Sequence, residues 1–152
     1  MRDLASLLAD HPFFHDVPAP YVTVLAGCAR NVAVQPAAYI FRTGEPANAF
    51  YVLREGRVGI ELPPVGGSPR TIQTVSAGDV LGWSWLIPPH QWRFDARALT
   101  PVRAVVLDGE CLRKKCEQDH DLGYELLRRF SQVIADRLES ARLQLQDLYG
   151  GA

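Results

Sequence analysis

The middle of this chain constrains its fold more than any other part. Between residues 31 and 107, short runs rich in Val, Ile, Tyr and Phe are cut by turn residues every eight to twelve positions. Residues 39–62, YIFRTGEPANAFYVLREGRVGIEL, have the pattern of three strands joined by a Gly-Glu-Pro turn and a Glu-Gly turn. A loop over residues 63–70 and a strand from Thr71 follow. Strands this short and this evenly spaced predict a small antiparallel sandwich or barrel.

Helical segments flank this β region on both sides. Near the N-terminus, Leu4, Leu7 and Leu8 share one helical face that ends before Pro12, and residues 19–30 predict a second short helix. Residues 108–149 contain no proline and have a helical pattern. With 152 residues, 47% of them hydrophobic, the chain suits one domain. Its predicted parts are N-terminal helices over 1–30, a β-roll over 31–107 and C-terminal helices over 108–152.

The last helix carries a heptad seam, in which apolar residues recur at alternating steps of four and three positions. Such spacing keeps one face turned toward a parallel partner helix, so we expect a homodimer. The candidate dimer interface is Leu127, Ile134, Leu138, Ala141, Leu145 and Leu148. A second stripe of Leu126, Phe130 and Val133 is expected to pack on the barrel. The alternative is that one wide apolar face buries the whole helix on its own domain.

Charge and cysteine content exclude several classes of function. The formal net charge of −1 lacks the basic excess of a nucleic-acid-binding domain, and no segment has the pattern of a signal peptide or a membrane span. Cys28, Cys111 and Cys116 are an odd number of cysteines, and we expect reduced thiols in a cytoplasmic protein. Their spacing fits no metal site, and no residue set supports catalysis. We therefore expect neither a metal nor an enzyme.

Three stretches of the sequence resemble the cyclic nucleotide-binding domain of the catabolite-activator (Crp/Fnr-like) superfamily. IFRTGEPANAFYVLREGRVGI resembles the family's paired strands, with Gly44 and Gly56 at tight turns and with Tyr51 and Leu53 facing the barrel. VSAGDVLG resembles the start of the phosphate-binding cassette, and RALTPVRAVVLDGECLRKK resembles the closing strand and the helix after it. The resemblance implies a mainly β fold with flanking helices, in which a double-stranded β-helix (jelly-roll) barrel precedes a long C-terminal helix.

The resemblance places a phosphate-binding cassette at residues 78–97. In the family, a short helix after the cassette glycine, here Gly82, directs its N–H groups at an anion, a glutamate holds the ribose and an arginine pairs with the cyclic phosphate. Trp83 occupies the glutamate position, and an indole has no acceptor for a hydroxyl proton. The arginine position falls on Arg93 when counted forward from Gly82, but on Trp92 when counted backward from the next strand. Asp95 is close enough in sequence to neutralise Arg93.

The degenerate cassette leaves several roles open for its residues. The candidate ligand-binding residues are Leu81, Gly82, Trp83, Ser84, Trp85, Trp92 and Arg93. The tryptophans fill the vacated pocket, stack on a different planar ligand, or form an exposed patch that contacts a partner protein. On the long helix, the family's base-contacting Thr and Ser align with Ala141 and Arg142. We therefore expect cyclic AMP to bind weakly or not at all, and no cofactor unless a cyclic nucleotide binds in another pose.

The family normally has a helix-turn-helix domain after the long helix, whereas this chain stops at Ala152, so direct DNA binding is not expected.

Three functions follow from the sequence pattern. The first function is a stand-alone regulatory or sensory module whose paired helices transmit the state of the cassette. The second is a structural or docking subunit of a larger metabolic or redox complex, with the tryptophan loop as its contact. The third is a noncanonical cyclic nucleotide binder that uses Arg93. An open cavity faced by Arg93 favours a sensor, and a cavity filled by indoles favours a docking subunit.

Overall fold

Short helices open the chain, as predicted. The computed structural model describes residues 3–62, 67 and 70–150, so most of the predicted 63–70 loop lies outside the described residues. Helix α1 spans Leu4–Asp10 and is capped by the Asp3 side chain, which accepts a hydrogen bond from the Ser6 N–H. A 3-10 turn over Pro12–Phe14 and helix α2 over Ala19–Ala26 follow.

The β region forms two antiparallel sheets of four strands each within the described residues. The first has the order β1-β8-β3-β6, and the second the order β2-β7-β4-β5. The strands are β1 Ala29–Val34, β2 Tyr39–Phe41, β3 Ala49–Glu55, β4 Arg57–Leu62, β5 Arg70–Ser76, β6 Val80–Leu81, β7 Asp95–Ala98 and β8 Val102–Asp108. The predicted mainly β architecture with flanking helices is confirmed.

Two hydrophobic cores hold these layers together. The inner core lies between the two sheets and contains Leu53, Ala96 and Ala98, with Phe94 packed against it, as the alternation along the strands predicted. The outer core lies between the first sheet and the helices. Successive residues of β3 serve both cores, because side chains alternate across a strand: Leu53 faces inward, and its neighbour Val52 faces the helices.

Two helices close the chain. Helix α3 spans Gly109–Gln118, and its first turn is capped by Asp108, whose carboxylate accepts a hydrogen bond from the Cys111 N–H at 2.8 Å. Helix α4 spans His120–Gly150. The predicted second stripe is confirmed, because Leu126 and Phe130 are buried in the outer core and Val133 packs against it.

Gly56 shows why one predicted turn requires glycine. It joins β3 to β4 with a φ of +92°, a conformation that side chains with a Cβ rarely adopt. A Cβ at this position would also collide with the carbonyl oxygen of Pro101. The tight turn predicted at this position is confirmed, but the two strands that it joins do not pair with each other, because β3 lies in the first sheet and β4 in the second.

The cysteines differ from the expectation of three reduced thiols. Cys28 and Cys111 form a disulfide with a Cα–Cα distance of 5.8 Å, and only Cys116 is free among the described residues. The pair is 83 residues apart in sequence, so spacing gives no hint of it. The two residues meet because the Asp108 N–H, at the end of β8, donates a hydrogen bond to the carbonyl oxygen of Cys28. Cys111 lies on the helical turn that starts there.

His11 is buried and joins the N-terminal segment to the sheet. Its Nδ1 accepts the Phe13 N–H at 3.2 Å, which leaves Nε2 to donate to the Leu53 carbonyl oxygen at 3.0 Å. Burial lowers the pKa of His11 below the ordinary 6.5, although the hydrogen bond to Leu53 and the charge of Asp79 oppose this shift. The folded protein therefore holds a neutral imidazole in an apolar setting.

Acidification is expected to destabilise the protein through His11. Because its pKa is lower in the folded state, the unfolded chain binds more protons as the pH falls below 6.5. The stability contributed by the neutral ring is full above that pH and is lost as the pH falls toward the folded-state pKa. Urea unfolding between about pH 7.5 and 5 measures this slope. His11→Gln should reduce it, whereas His15→Gln, at an exposed histidine, should leave it unchanged; equal slopes in all three proteins would contradict the prediction.

Candidate functional site

The cassette loop begins at Gly82 and does not form a helix, so the predicted helix is wrong. Residues 84–89 form consecutive turns and a bend, in which the Leu86 N–H binds the Trp83 carbonyl at 3.1 Å and the Ile87 N–H binds the Ser84 carbonyl at 3.4 Å. An α-helix would next require N–H donors at positions 88 and 89, which are both proline. No helix N-terminus is therefore available at this position to attract an anion.

Trp92 fills the space between the sheets beside Gly82. Its side chain is only 4% exposed and stacks on Phe41, with ring centroids 3.7 Å apart and an interplanar angle of 5°. Gly82 has a φ of +98°, and a Cβ there would lie 2.7 Å from the indole. The ring therefore packs directly on the cassette glycine.

Backbone hydrogen bonds hold Trp92 in this position. Its N–H donates to the Glu45 carbonyl at 3.0 Å, and its own carbonyl accepts the Gly44 N–H at 2.8 Å. Next to it, the Ala47 N–H binds the His90 carbonyl at 2.7 Å. Three bonds between the β2–β3 loop and residues 90–92 leave the indole little freedom to swing out of the inner core.

Arg93 points away from the barrel. It is exposed, and its guanidinium carbon lies 5.7 Å from the ring centroid of the half-buried Trp83. Asp95, which is close enough in sequence to neutralise Arg93, is instead buried against the β2–β3 loop. It accepts hydrogen bonds from the Thr43 N–H at 2.7 Å and the Thr43 hydroxyl at 3.0 Å, with Arg42 Nε at 3.5 Å. Arg93 thus remains free to contact another molecule.

Trp85 turns toward the helices instead, and its neighbour Ser84 is buried. Trp85 is fully buried in the outer core, with ring centroids 5.4 Å from Phe50 and 5.5 Å from Phe130. Its carbonyl accepts a hydrogen bond from Arg113 of α3 at 2.7 Å. Within the described structure, the Ser84 hydroxyl and the Trp85 indole N–H have no hydrogen-bond partner. Neither residue reaches the space beside Gly82.

The predicted site residues are thus divided among several environments. Leu81 and Trp92 belong to the inner core, and Trp85 belongs to the outer core. Gly82 and Ser84 are buried, Trp83 is half-buried and Arg93 is exposed. The structure therefore does not gather the seven predicted residues around one ligand.

A buried ion pair near the cassette was missed by sequence reasoning. Glu61 is fully buried, and its carboxylate lies 2.6 Å from Arg97 Nη2 and 2.9 Å from Arg97 Nε. The Tyr39 hydroxyl donates a third hydrogen bond at 3.4 Å. The pair forms across neighbouring strands, because β4 and β7 are antiparallel partners. The signal for this ion pair in the sequence is Glu61, a charged residue between the apolar Ile60 and Leu62 of a predicted strand.

An open basin lies beside Trp92. Its volume is about 820 Å³, and its lining includes the aromatic residues Phe41, Tyr51 and Trp92 and the charged residues Arg30 and Glu45. Burial raises the pKa of Tyr51 above its ordinary value. The lining of this basin includes Trp92 but not Trp83, Ser84, Trp85 or Arg93. It is therefore separate from most of the predicted cassette.

A groove runs between α4 and the edge strand β5. Gln144 donates from its side chain to the Ile72 carbonyl at 2.8 Å, and Gln73 donates to the Arg137 carbonyl at 3.2 Å. The Arg137 guanidinium donates to the carbonyl oxygen of Val80, and burial lowers the pKa of this guanidinium. These contacts bind the middle of α4 to the barrel and cover the exposed edge of β5.

The proposed dimer residues lie on a different face of α4. Leu138 is 70% exposed and Leu148 is 71% exposed, and Leu127 and Leu145 are also exposed. Ile134 is half-buried and Ala141 is exposed. The alternative that the whole helix packs on its own domain is therefore wrong.

The sequence matches the Cyclic nucleotide-binding domain family over residues 31–119, which include the barrel, the cassette and α3. The chain belongs to this family. The suspected resemblance is confirmed, and so is the jelly-roll fold that it implied.

One sequence relative and two solved structures are similar to this chain. A CRP-like cAMP-activated global transcriptional regulator of Mycobacterium tuberculosis is 26% identical over 93% of this chain, which spans 62% of that regulator's length. The crystal structure of a cyclic nucleotide-binding domain from Methylobacillus flagellatus has a TM-score of 0.80 and 19% identity, covering 98% of this chain and 84% of the other. The catabolite activator protein of Thermus thermophilus has a TM-score of 0.69 and 22% identity, covering 90% of this chain and 62% of the other. The two structures support the fold alone.

None of the helices in residues 3–62 and 70–150 is both long enough and apolar enough to cross a bilayer.

Proposed function

We propose that this domain is a non-catalytic regulatory module that acts through protein association and does not bind cyclic nucleotides with the contacts usual in its family. The observation that carries the proposal is the position of Trp92. Its ring occupies the inner core beside the cassette glycine, at one of the two positions that the family arginine could take. An indole carries no positive charge, so it cannot replace an arginine opposite a cyclic phosphate.

The arrangement favours the docking role over the sensory one. Arg93, the other candidate for the phosphate contact, is exposed beside Trp83. Ile87 is 38% exposed, and Pro88 and Pro89 are exposed next to it. An arginine on an aromatic ring, beside an apolar and stiff loop, has the composition of a protein-contact surface. The proposal places this surface, formed by Trp83, Ile87, Pro88, Pro89 and Arg93, against a protein partner.

A thermal-shift titration tests the nucleotide part of the proposal. Cyclic AMP, cyclic GMP and cyclic dinucleotides are each expected to leave the melting temperature unchanged within about 1 °C. A ligand at a hundred times its dissociation constant would stabilise the fold by about 2.7 kcal/mol, or roughly 5–10 °C for a domain of this size. Arg93→Ala and the matched variant Arg103→Ala, at an exposed arginine on β8, are titrated in parallel.

A shift in the titration would contradict the proposal in a way that the variants resolve. If a nucleotide raises the melting temperature and Arg93→Ala abolishes the rise, the domain is a noncanonical cyclic nucleotide binder that uses Arg93. If the rise survives in both variants, the ligand is bound by other residues, and the sensory function replaces the docking function.

The proposal also includes a homodimer through α4. The four exposed leucines of the seam would leave a large apolar strip in water if the helix stayed alone. Their heptad spacing suits a second copy of the same helix.

A cytoplasmic location is also part of the proposal. In the cytoplasm a protein disulfide is typically transient and redox-active.

Leu138→Lys is expected to separate the dimer. A buried leucine contributes about 1.5–3 kcal/mol, and a symmetric dimer loses two of them, so the dissociation constant should rise at least roughly a hundredfold. Sedimentation equilibrium measures this change. Gln146→Lys adds the same charge at an exposed position outside the seam and should leave the dissociation constant within a fewfold. Equal effects of the two variants would contradict the interface.

A further inference from the structure

We propose that the Cys28–Cys111 disulfide is a thiol–disulfide exchange site, which a dithiol reductant opens and an oxidant re-forms while the domain stays folded. This inference does not rest on whether the cassette binds a nucleotide. It starts from the different settings of the two sulfur atoms. Cys28 is 7% exposed at the end of α2, whereas Cys111 is half-buried on the first turn of α3.

Cys111 is accessible from two sides. Cys28 and Cys111 both line the 820 Å³ basin, and Cys111 also lines a second cavity of about 480 Å³ formed by residues of α3. Exchange requires that the attacking thiolate reach a sulfur atom along the axis of the disulfide. Because Cys28 is only 7% exposed, whereas Cys111 is half-buried and lines both cavities, the proposal has the reductant attack the Cys111 sulfur.

The exchange proceeds in two balanced steps. A thiolate of the dithiol forms a bond to Cys111 Sγ, the bond between the two cysteines breaks, and its electron pair leaves on Cys28, which takes up a proton. The second thiol of the reductant then loses its proton and attacks its own mixed disulfide, and Cys111 leaves as a thiolate. The dithiol ends as a disulfide, and the protein has gained two electrons and one proton, with Cys28 a thiol and Cys111 a thiolate.

The fold does not depend on this bond. Leu112 of α3 is fully buried in the outer core, and its neighbour Arg113 donates a hydrogen bond to the Trp85 carbonyl at 2.7 Å. Backbone hydrogen bonds also join the same region: Asp108 N–H to the Cys28 carbonyl at 2.9 Å, and Gly109 N–H to the Asn48 carbonyl at 2.7 Å. These contacts keep the two thiols adjacent after reduction, so the same pair re-forms.

Helix α3 connects the Cys28–Cys111 disulfide to the two surfaces on which the proposed function depends. Helix α3 contacts the cassette loop through Arg113 and the Trp85 carbonyl. It contacts α4 where Gly123 packs against Cys116, so closely that a Cβ on Gly123 would lie 3.2 Å from the Cys116 Cβ. Reduction removes the covalent link between Cys28 and the first turn of α3 but leaves the hydrogen bonds there, and a small shift of α3 then moves both the Trp85 loop and the base of α4.

Thiol mapping under native conditions tests the exchange. The full chain is oxidised, treated with dithiothreitol in native buffer, and alkylated at intervals for peptide mass spectrometry. Cys28 and Cys111 are expected to become alkylated together, at least tenfold faster than the domain unfolds in the same buffer. Tryptophan emission from Trp85 should change in step with reduction and return after oxidation. Cys116→Ser is the matched control and should keep both responses.

Two variants keep the test decisive. Cys111→Ser and Cys28→Ser each remove the exchange and should abolish the dithiothreitol-dependent change in emission, and either one suffices if the other fails to fold. The proposal is overturned if reduction proceeds only as fast as unfolding, since the bond would then be a structural staple. It is also overturned if the oxidised protein already carries both thiols free, or if reduction leaves the tryptophan emission unchanged.

Discussion

Trp92→Ala is expected to lower the free energy of unfolding by about 3–5 kcal/mol, which corresponds to a fall of roughly 6–20 °C in melting temperature. The substitution removes a ring that is 4% exposed and stacks on Phe41 at 3.7 Å. It also leaves a cavity beside Gly82, because the backbone bonds of residues 44–47 and 90–92 prevent the loops from collapsing into it. Urea unfolding followed by circular dichroism measures the change.

Trp83→Ala is the matched control for this prediction. Trp83 is half-buried on the same loop and packs at the margin of the outer core, so its removal should cost only about 1 kcal/mol. A similar loss in the two variants would mean that Trp92 does not occupy the inner core. That result would also remove the observation on which the proposed function rests.

Arg97→Met is expected to cost about 3 kcal/mol of stability. Among the described residues, the substitution leaves the fully buried Glu61 carboxylate with only the Tyr39 hydroxyl, at 3.4 Å, as a hydrogen-bond partner. Removing one member of a buried ion pair typically costs 3–5 kcal/mol, and the 30% exposure of Arg97 places this pair at the low end of that range, about 3 kcal/mol. Denaturant unfolding at neutral pH measures the loss.

A second substitution separates the ion pair from the packing around it. The double variant Arg97→Met with Glu61→Leu should recover most of the lost stability, because no unpaired charge then stays buried. Arg103→Met is the control: its pair with Glu55 spans 3.7 Å with both side chains more than 60% exposed, so its loss should cost under about 1 kcal/mol. A double variant as unstable as Arg97→Met would show that packing, not charge, dominates at this position.

The cassette loop has an inward and an outward side. Gly82 has the positive φ that its turn requires, and the loop returns to the barrel at β7. The contacts between the β2–β3 loop and residues 90–92 position the Trp92 indole in the inner core. The outward side of the same loop carries Arg93 and Trp83, on which the proposed contact surface is based.

The sequence by itself determined the fold class, the presence of short strands between residues 31 and 107 and the two faces of α4. These features depend on local periodicity: alternation places Ala96 and Ala98 in the inner core, and heptad spacing separates Phe130 from Leu138. The sequence also located the cassette. It did not decide whether Trp92 or Arg93 takes the position of the family arginine, because counting forward from Gly82 and counting backward from the next strand gave different residues.

Only the tertiary structure decided which cassette residue enters the barrel, which carboxylate binds which arginine and which cysteines pair. The direction of the Trp92 ring depends on three hydrogen bonds to a loop some 45 residues away in sequence. Glu61 and Arg97 are 36 positions apart, and Cys28 and Cys111 are 83 apart. Such contacts follow from the pairing of strands distant in sequence, so they appear only when the two sheets have been brought together.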